Sequence, residues 1–323
     1  MTKHSVIICG KVFKYLQYNC LTIVYRFTVS DIRQLLPFLE LDTILWRTRY
    51  QPSSELALCL VLVRQSFPQR LFQLSNLFGR SESYLSTVYN DTIEHLCLRY
   101  RQMLQWHPSL QYRRLRRYAR AIKRVGGWTG EGTIWGFIDG TFRATCRPTE
   151  NQRFFYSGYK KHHGFKYQGI VCPDGLIGSI AGPYEGKMND LQIVRKSQVQ
   201  EDLHQVWNGH PQLYLYGDQA YQRLWGIMGP YRGGRTLNKQ QQTFNKTLSS
   251  VRIAVEQAFG QAQNLWLSNA FSIQLQPQQQ PVAAFYMVSV LLTNCFTCLE
   301  GNNASGSRFL LKPPTLEAYL SAI

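Results

Sequence analysis

The sequence predicts an α/β region preceded by an all-α region, and three observations carry that reading. Upstream of residue 124 the patterning is helical: "SDIRQLLPFLE" begins with a capping serine, Ser30, and "PSSELALCLVLVRQS" follows a Pro-Ser-Ser start. Downstream, short β-rich runs alternate with Gly-containing turns: "TIWGFID", "GFKYQGIVC", "LIGSIAG" and "LYLYGD". Between the two, "RVGGWTGEG" places four glycines within the nine residues 124 to 132. The last two long helical patterns are "TLSSVRIAVEQAFGQAQNLW" and "PVAAFYMVSVLLTNCFTCLE", separated by the polar linker "IQLQPQQQP". The expected division is a helical region over 1–125, an α/β domain over 126–300 and a C-terminal tail over 301–323.

A chain of 323 residues that is 44% apolar and 13% aromatic can bury a substantial core, which argues against disorder. Its 36 Lys and Arg against 19 Asp and Glu give a formal charge of +17. Such an excess suits a polyanion, nucleic acid being the commonest, with a membrane surface or the ribosome as alternatives. Eight cysteines scattered from Cys9 to Cys298 lack a disulfide-framework spacing and read as reduced, intracellular thiols. The one CxxC, Cys295 and Cys298, has no second pair, so core packing is expected there rather than zinc. Lys11 and Lys14 interrupt the N-terminal apolar patch, so no signal peptide is expected. The apolar run "PVAAFYMVSVLL" is short for a bilayer span, so the expectation is a soluble protein with no membrane partner.

Two stretches of the helical region suggest contact with DNA. In "FPQRLFQLSNLFGRSESYLSTVYNDTIEHL", Leu71, Leu74 and Leu77 give one helix an apolar face and Gly79 supplies a turn. Ser81 can cap a second helix with Leu85, Val88 and Ile93 on its inner side. As a helix-turn-helix, this would offer Arg80, Ser83, Tyr84 and Thr87 to a major groove; a plain helical hairpin fits the same pattern. In "QYRRLRRYARAIKR", Leu115, Ala119 and Ile122 share one face, leaving Arg113, Arg116, Arg117, Arg120 and Lys123 outward. That face is either solvated or, with Tyr112 and Tyr118 interleaved, a phosphate-backbone contact or nuclear-import signal.

Three acids stand in similar settings. Asp139 ends the run "IWGFID", Asp218 ends "LYLYGD", and Glu256 interrupts a helix among Val251, Ala254, Val255 and Phe259. Strand-end carboxylates can converge, and a helix packed on the sheet can add a third. Converging acids need cations, and hard oxygen ligands suit Mg²⁺ or Mn²⁺, as a pair of ions in phosphodiester displacement. Each acid taken alone can equally be a surface or salt-bridged residue.

At these residues the sequence resembles the DDE transposases of the PIF/Harbinger superfamily. The resemblance rests on "FIDGTFRATCRP", "YSGYKKHHGFKYQGIVCPDGLI", "AGPYEGKMNDLQIV", "LYGDQAY", "GPYRGG" and "FNKTLSSVRIAVEQAFGQAQNLW", in that order across roughly 133–298. It implies an RNase H-like catalytic domain with a central mixed sheet, and metal-dependent cutting or joining of DNA strands. It carries the catalytic and metal-holding triad onto Asp139, Asp218 and Glu256, and makes Asp190 an accessory ligand or a helix cap. It also implies a nuclear protein, shared with the cytoplasm, that works with a Myb-like DNA-binding partner. The alternative is a transposase-derived DNA-binding protein without integration activity.

Two departures from the family pattern stand out. Asn189 replaces a usual His, and Gln263 replaces the Lys that members often carry seven residues after the catalytic Glu, whereas Arg252 matches. Losing that lysine would weaken contact with a DNA end without removing a metal ligand. Lys160, Lys161 and Lys166 around "YKKHHGFKYQ", with Arg232 and Arg235 in "PYRGGR", are further candidates for phosphate contact. Adjacent His162 and His163 would point to opposite faces of an extended segment, which disfavours a metal role.

Overall fold

Ile134, Trp135, Phe137 and Ile138 are all buried and draw strand β1 (Thr133–Ala144) into the centre of a mixed sheet. The computed structural model describes residues 26–126, 133–210, 212–221, 224–233 and 236–321. The N-terminal stretch with Lys11 and Lys14, most of the Gly-rich junction, and Arg235 lie outside the described residues.

One edge of β1 pairs antiparallel with β3 (His162–Val171), whose far edge takes β4 (Ile177–Glu185) and the two-residue β2 (Tyr156–Ser157). The other edge of β1 pairs parallel with β5 (Leu213–Tyr216), which pairs parallel with β6 (Ile227–Met228). Asp139 does not end its strand, although the sequence led one to expect it. It is mid-strand, opposite Gly169, and Gly140 continues the ladder opposite Gln168 instead of turning. Asp218 does follow its strand, two positions after Tyr216.

From residue 26 onward the upstream region is helical as expected, with local differences. Helix α1 (Val29–Leu39) is capped by Thr28 in a reciprocal box with Asp31, not by Ser30, which lies inside the helix. Helix α2 (Ser54–Ser66) starts at Ser53 as the Pro-Ser-Ser signal indicates. Helix α3 (Leu71–Phe78) closes on Gly79, whose φ of 62° suits glycine, and Ser81 caps helix α4 (Glu82–Arg99). The two helices pack together, with Leu85, Val88 and Ile93 fully buried. On α3, Leu74 and Phe78 are the core residues, whereas Leu77 is 44% exposed. Helix α5 (Arg101–Gln105) and a π-helical turn (Ser109–Arg113) lead into α6 (Leu115–Gly126), which packs on β1.

Short helix α7 (Gln152–Phe155) precedes β2, and α8 (Asp190–Lys196) and α9 (Val199–Gly209) link β4 to β5. The long helix α10 (Lys239–Leu265) crosses the sheet, and α11 (Val282–Glu300) packs against α4, α10 and β4. Helix α11 is long and apolar enough to span a bilayer, yet it is buried on nearly all sides, Cys295 and Cys298 included. That composition reflects a core helix enclosed by others. Helices α12 (Ala304–Phe309) and α13 (Leu316–Leu320) follow, and their Phe309, Leu316, Tyr319 and Leu320 join one apolar cluster with the sheet and upstream helices.

His107 shows how tightly these parts interlock. Its Nε2 donates to the Tyr319 carbonyl at 3.0 Å, while Nδ1 accepts from the Ser109 hydroxyl at 3.2 Å and the Leu110 amide at 3.4 Å. That arrangement needs a neutral ring, and burial lowers its pKa to about 4. Between pH 6.5 and 4 the unfolded chain therefore binds the proton and the folded chain does not. Stability is full above pH 6.5 and falls as pH drops toward 4, by about 3 kcal/mol in all. Urea unfolding across that range is expected to show this loss, and the His107→Gln variant to show a flatter profile.

Candidate active site

The central face of the site comes from the two-residue repeat of β1. Asp139, Thr141 and Arg143 alternate onto one side of the strand, and all three line an open cleft of about 750 Å³. Helix α10 supplies the opposing wall with Arg252, Glu256, Phe259 and Gln263, a spacing of four, three and four that keeps them on one helical face. Asp190 from the first turn of α8, Asp218 from the loop after β5, and Tyr159, Lys160 and Lys166 from the β2–β3 hairpin complete the rim. Close approach of α10 to the sheet depends on Gly169, since a Cβ there would lie 2.7 Å from the Phe259 ring.

The expected triad, Asp139, Asp218 and Glu256, thus faces one cleft, with Asp190 beside it. Asp139 Oδ1 accepts from the Gly140 amide at 2.9 Å, and Oδ2 pairs with Arg252 Nη2 at 2.6 Å. Burial raises the Asp139 pKa; Arg252 and the Gly140 amide oppose that, while the charge of Asp218 adds to it. Asp218 Oδ1 accepts from the Ala220 amide at 2.8 Å, which anchors its carboxylate to its own loop. Glu256 is exposed on the cleft wall, not buried among its apolar helix neighbours.

Asp190 does not cap α8. Asn189 does, in a reciprocal box with Gln192, which gives a local reason for Asn at a position where the resemblance led one to expect His. The Asp190 carboxylate lies 3.6 Å from Lys166 Nζ and packs on Gly140, where a Cβ would come within 2.7 Å of Asp190 Oδ1. Gly140 is therefore the place where the Asp190 side chain lies close on the β1 backbone, not a turn. Below them, the buried Tyr221 hydroxyl accepts from Gln168 Nε2 at 3.1 Å. Burial, with Asp190, Asp139 and Asp218 nearby, holds its phenol protonated.

Four carboxylates on one cleft are a hard-oxygen donor set whose chemistry fits Mg²⁺ or Mn²⁺. In this arrangement, however, no three His, Cys, Asp or Glu side chains among the described residues converge closely enough to hold an ion. The charge of Asp139 is met by Arg252, 2.6 Å away.

The remaining candidates divide. Lys160 and Lys166 line the cleft, whereas Lys161 is exposed beyond it. Arg232 is exposed and donates to the Gln219 carbonyl, next to Asp218, at 3.0 Å. Arg116, Arg117, Arg120 and Lys123 face outward along α6 as the spacing indicated, and Arg113 is exposed at the end of the π-helical turn before it. Tyr118 does not join them: it is core, bonded to Asp174 at 2.5 Å, and Tyr112 bonds Gln205. On α4, Ser83 is exposed and Thr87 half-buried, while Tyr84 packs on Tyr50 with Arg80 over its ring. None of these α4 residues lines the acid cleft. His163 is half-buried against Tyr156 and joins no metal-like group. Arg143 and Tyr159 were missed. The alternation from Asp139 would have found Arg143 had Gly140 not been read as a turn.

The match to known families begins beside the first acid. Residues 138–294 match the family model of the DDE superfamily endonuclease. The matched span takes in Asp139, Asp190, Asp218 and Glu256, and it ends within α11. No curated protein and no solved structure matches the chain. Endonuclease or transposase-like function and a DNA substrate are what the superfamily match suggests for this region, set in a mixed α/β fold.

The Arg252–Asp139 pair carries a checkable consequence. Arg252→Gln leaves a largely buried carboxylate with only the Gly140 amide, so the metal-free protein is expected to lose about 1–3 kcal/mol. Thermal unfolding in EDTA measures that loss, and added Mn²⁺ is expected to restore more stability to the variant than to the wild type.

Proposed function

We propose that the protein is a metal-dependent DNA endonuclease or transposase of the PIF/Harbinger type, with Asp139, Asp218 and Glu256 as its catalytic carboxylates. The observation that carries this reading is their common placement on one cleft inside the superfamily-matched region. The sheet order supports an RNase H-like domain: antiparallel strands β4, β3 and β1 followed by parallel β5, with the third acid on a helix packed against the face of β1.

Asp139, Asp218 and Glu256 would hold one or two Mg²⁺ or Mn²⁺ ions, with Asp190 as an accessory ligand. Such ions, when bound, activate a water or 3′ hydroxyl and stabilise the leaving oxygen. For its own part, the chain orients Asp139 through the Gly140 amide and keeps Asp190 in place through Lys166. Lys160 and Arg252 present positive charge to the phosphates entering the cleft. Arg113 with the outward face of α6 (Arg116, Arg117, Arg120), and Arg80 in the turn with the start of α4 (Ser83, Tyr84, Thr87), extend the DNA surface, with α3–α4 as a helix-turn-helix. Lys161 and Arg232 add charge near the cleft. A Myb-like partner and a nuclear location, shared with the cytoplasm, belong to the same proposal.

The Arg252–Asp139 ion pair favours a second reading, a transposase-derived DNA-binding protein without integration activity, because a cation already neutralises the central acid. Nicking of supercoiled plasmid in Mg²⁺ or Mn²⁺ separates the two. The nuclease reading expects wild-type nicking that falls to background in Asp139→Ala, Asp218→Ala and Glu256→Ala. Salt-sensitive DNA binding in all four proteins without nicking would favour the second reading.

A further inference from the structure

Arg143 is a buried cation that no anion answers among the described residues. It is 8% exposed, yet among the described residues no carboxylate forms an ion pair with it. Its side-chain partners are all neutral: the Gln263 amide oxygen at 3.1 Å, the Thr141 hydroxyl at 2.8 Å and the Tyr286 hydroxyl at 3.1 Å. The guanidinium also lies 4.4 Å from the centre of the Tyr286 ring, and Nε has no partner. Burying a charge is costly unless something compensates it, and hydrogen bonds to neutral groups compensate only in part. Arg114 and Arg252, by contrast, each meet a carboxylate.

The position of Arg143 suggests what the missing anion is. It lines the same cleft as Asp139, on the same face of β1 and four residues further along. At the rise of a strand the two Cα atoms are about 13 Å apart. The bonds above take both hydrogens of Nη2 and one of Nη1, so one Nη1 hydrogen is left for a charged phosphate oxygen, and the ring beneath it and the amide beside it hold the guanidinium in place. We propose that Arg143, held in position by Gln263 and Tyr286, binds a phosphate flanking the one over the carboxylates. This rests on the cleft being a nucleic-acid site and supplies it with a cation from β1 at the level where α10 carries Gln263. A lysine at 263 would repel Arg143; glutamine accepts a hydrogen bond from it.

The test uses the full chain without metal, a fluorescent single-stranded oligonucleotide, and inorganic phosphate as competitor. Arg143→Gln removes the cation. Gln263→Glu leaves Arg143 present but gives it an internal carboxylate, which would cancel the site while keeping the side chain's shape. Each variant, checked for folding by thermal melting, is expected to bind the oligonucleotide about tenfold more weakly at low salt. The slope of log K against log salt is expected to shrink by about 0.7, one phosphate's share for a single strand. Unchanged affinity and slope in both variants overturn the assignment; should Arg143→Gln not fold, Gln263→Glu alone decides. If the wild type binds inorganic phosphate in an Arg143-dependent way but no oligonucleotide, the subsite stands and the DNA reading falls. Asp139-dependent nicking with unaltered slopes in both variants would sink the subsite and keep the nuclease.

Discussion

The contact between β1 and α10 is the constraint on which the site depends. Two clips hold these elements face to face, Asp139 with Arg252 and Arg143 with Gln263, each joining one strand position to one helix position. The clips work only because the helix can lie close, and Gly169 permits that by leaving room for Phe259. The ion pair offsets part of the cost of burying Asp139 among apolar strand residues. Four acids can therefore share a cleft because cations stand among them, Arg252 at Asp139 and Lys166 at Asp190.

The sheet is fixed to its helices by buried polar groups placed where apolar packing alone would leave register undetermined. Asp174, after β3, accepts from Arg114 at 2.9 Å and from Tyr118 at 2.5 Å, tying the start of α6 to the β3–β4 turn. Asn294 on α11 bonds both the amide and the carbonyl of Ile177 and also the Tyr319 hydroxyl, at 3.0, 2.9 and 2.8 Å. Gln65 on α2 reaches the Phe285 carbonyl and accepts from Ser268. Buried polar groups of this kind cost free energy when unpaired, so each pins one alignment of two elements. The upstream helices and the C-terminal segment are in this way part of the same packed unit as the sheet.

Much of the fold was legible because it follows from local chemistry. Helix starts at Ser53 and Ser81, the stop at Gly79 and the outward arginines of α6 all rest on rules confined to a few consecutive residues. The errors share one cause. Gly140 looked like a turn because glycine usually marks one, but its role is set by Asp190, fifty positions away. Tyr118 sat in an arginine-rich run and was read with its neighbours, whereas its partner Asp174 lies on another element. Ser30 and Thr28 are both plausible caps, and the reciprocal bond from Asp31 selects Thr28.

By itself the sequence determined the classes of residue available: a basic chain, an α/β region behind a helical one, and three acids in an order that resembles a nuclease family. It could do so because composition, periodicity and motif order are properties of the chain read in one dimension. Only the tertiary structure decided which charges meet. That Arg252 neutralises Asp139, that Lys166 holds Asp190, and that Arg143 lies buried beside Gln263 with neutral partners depend on β1, β3 and α10 arriving at one place. Electrostatic energy is set by distance and burial, and neither is written in sequence separation.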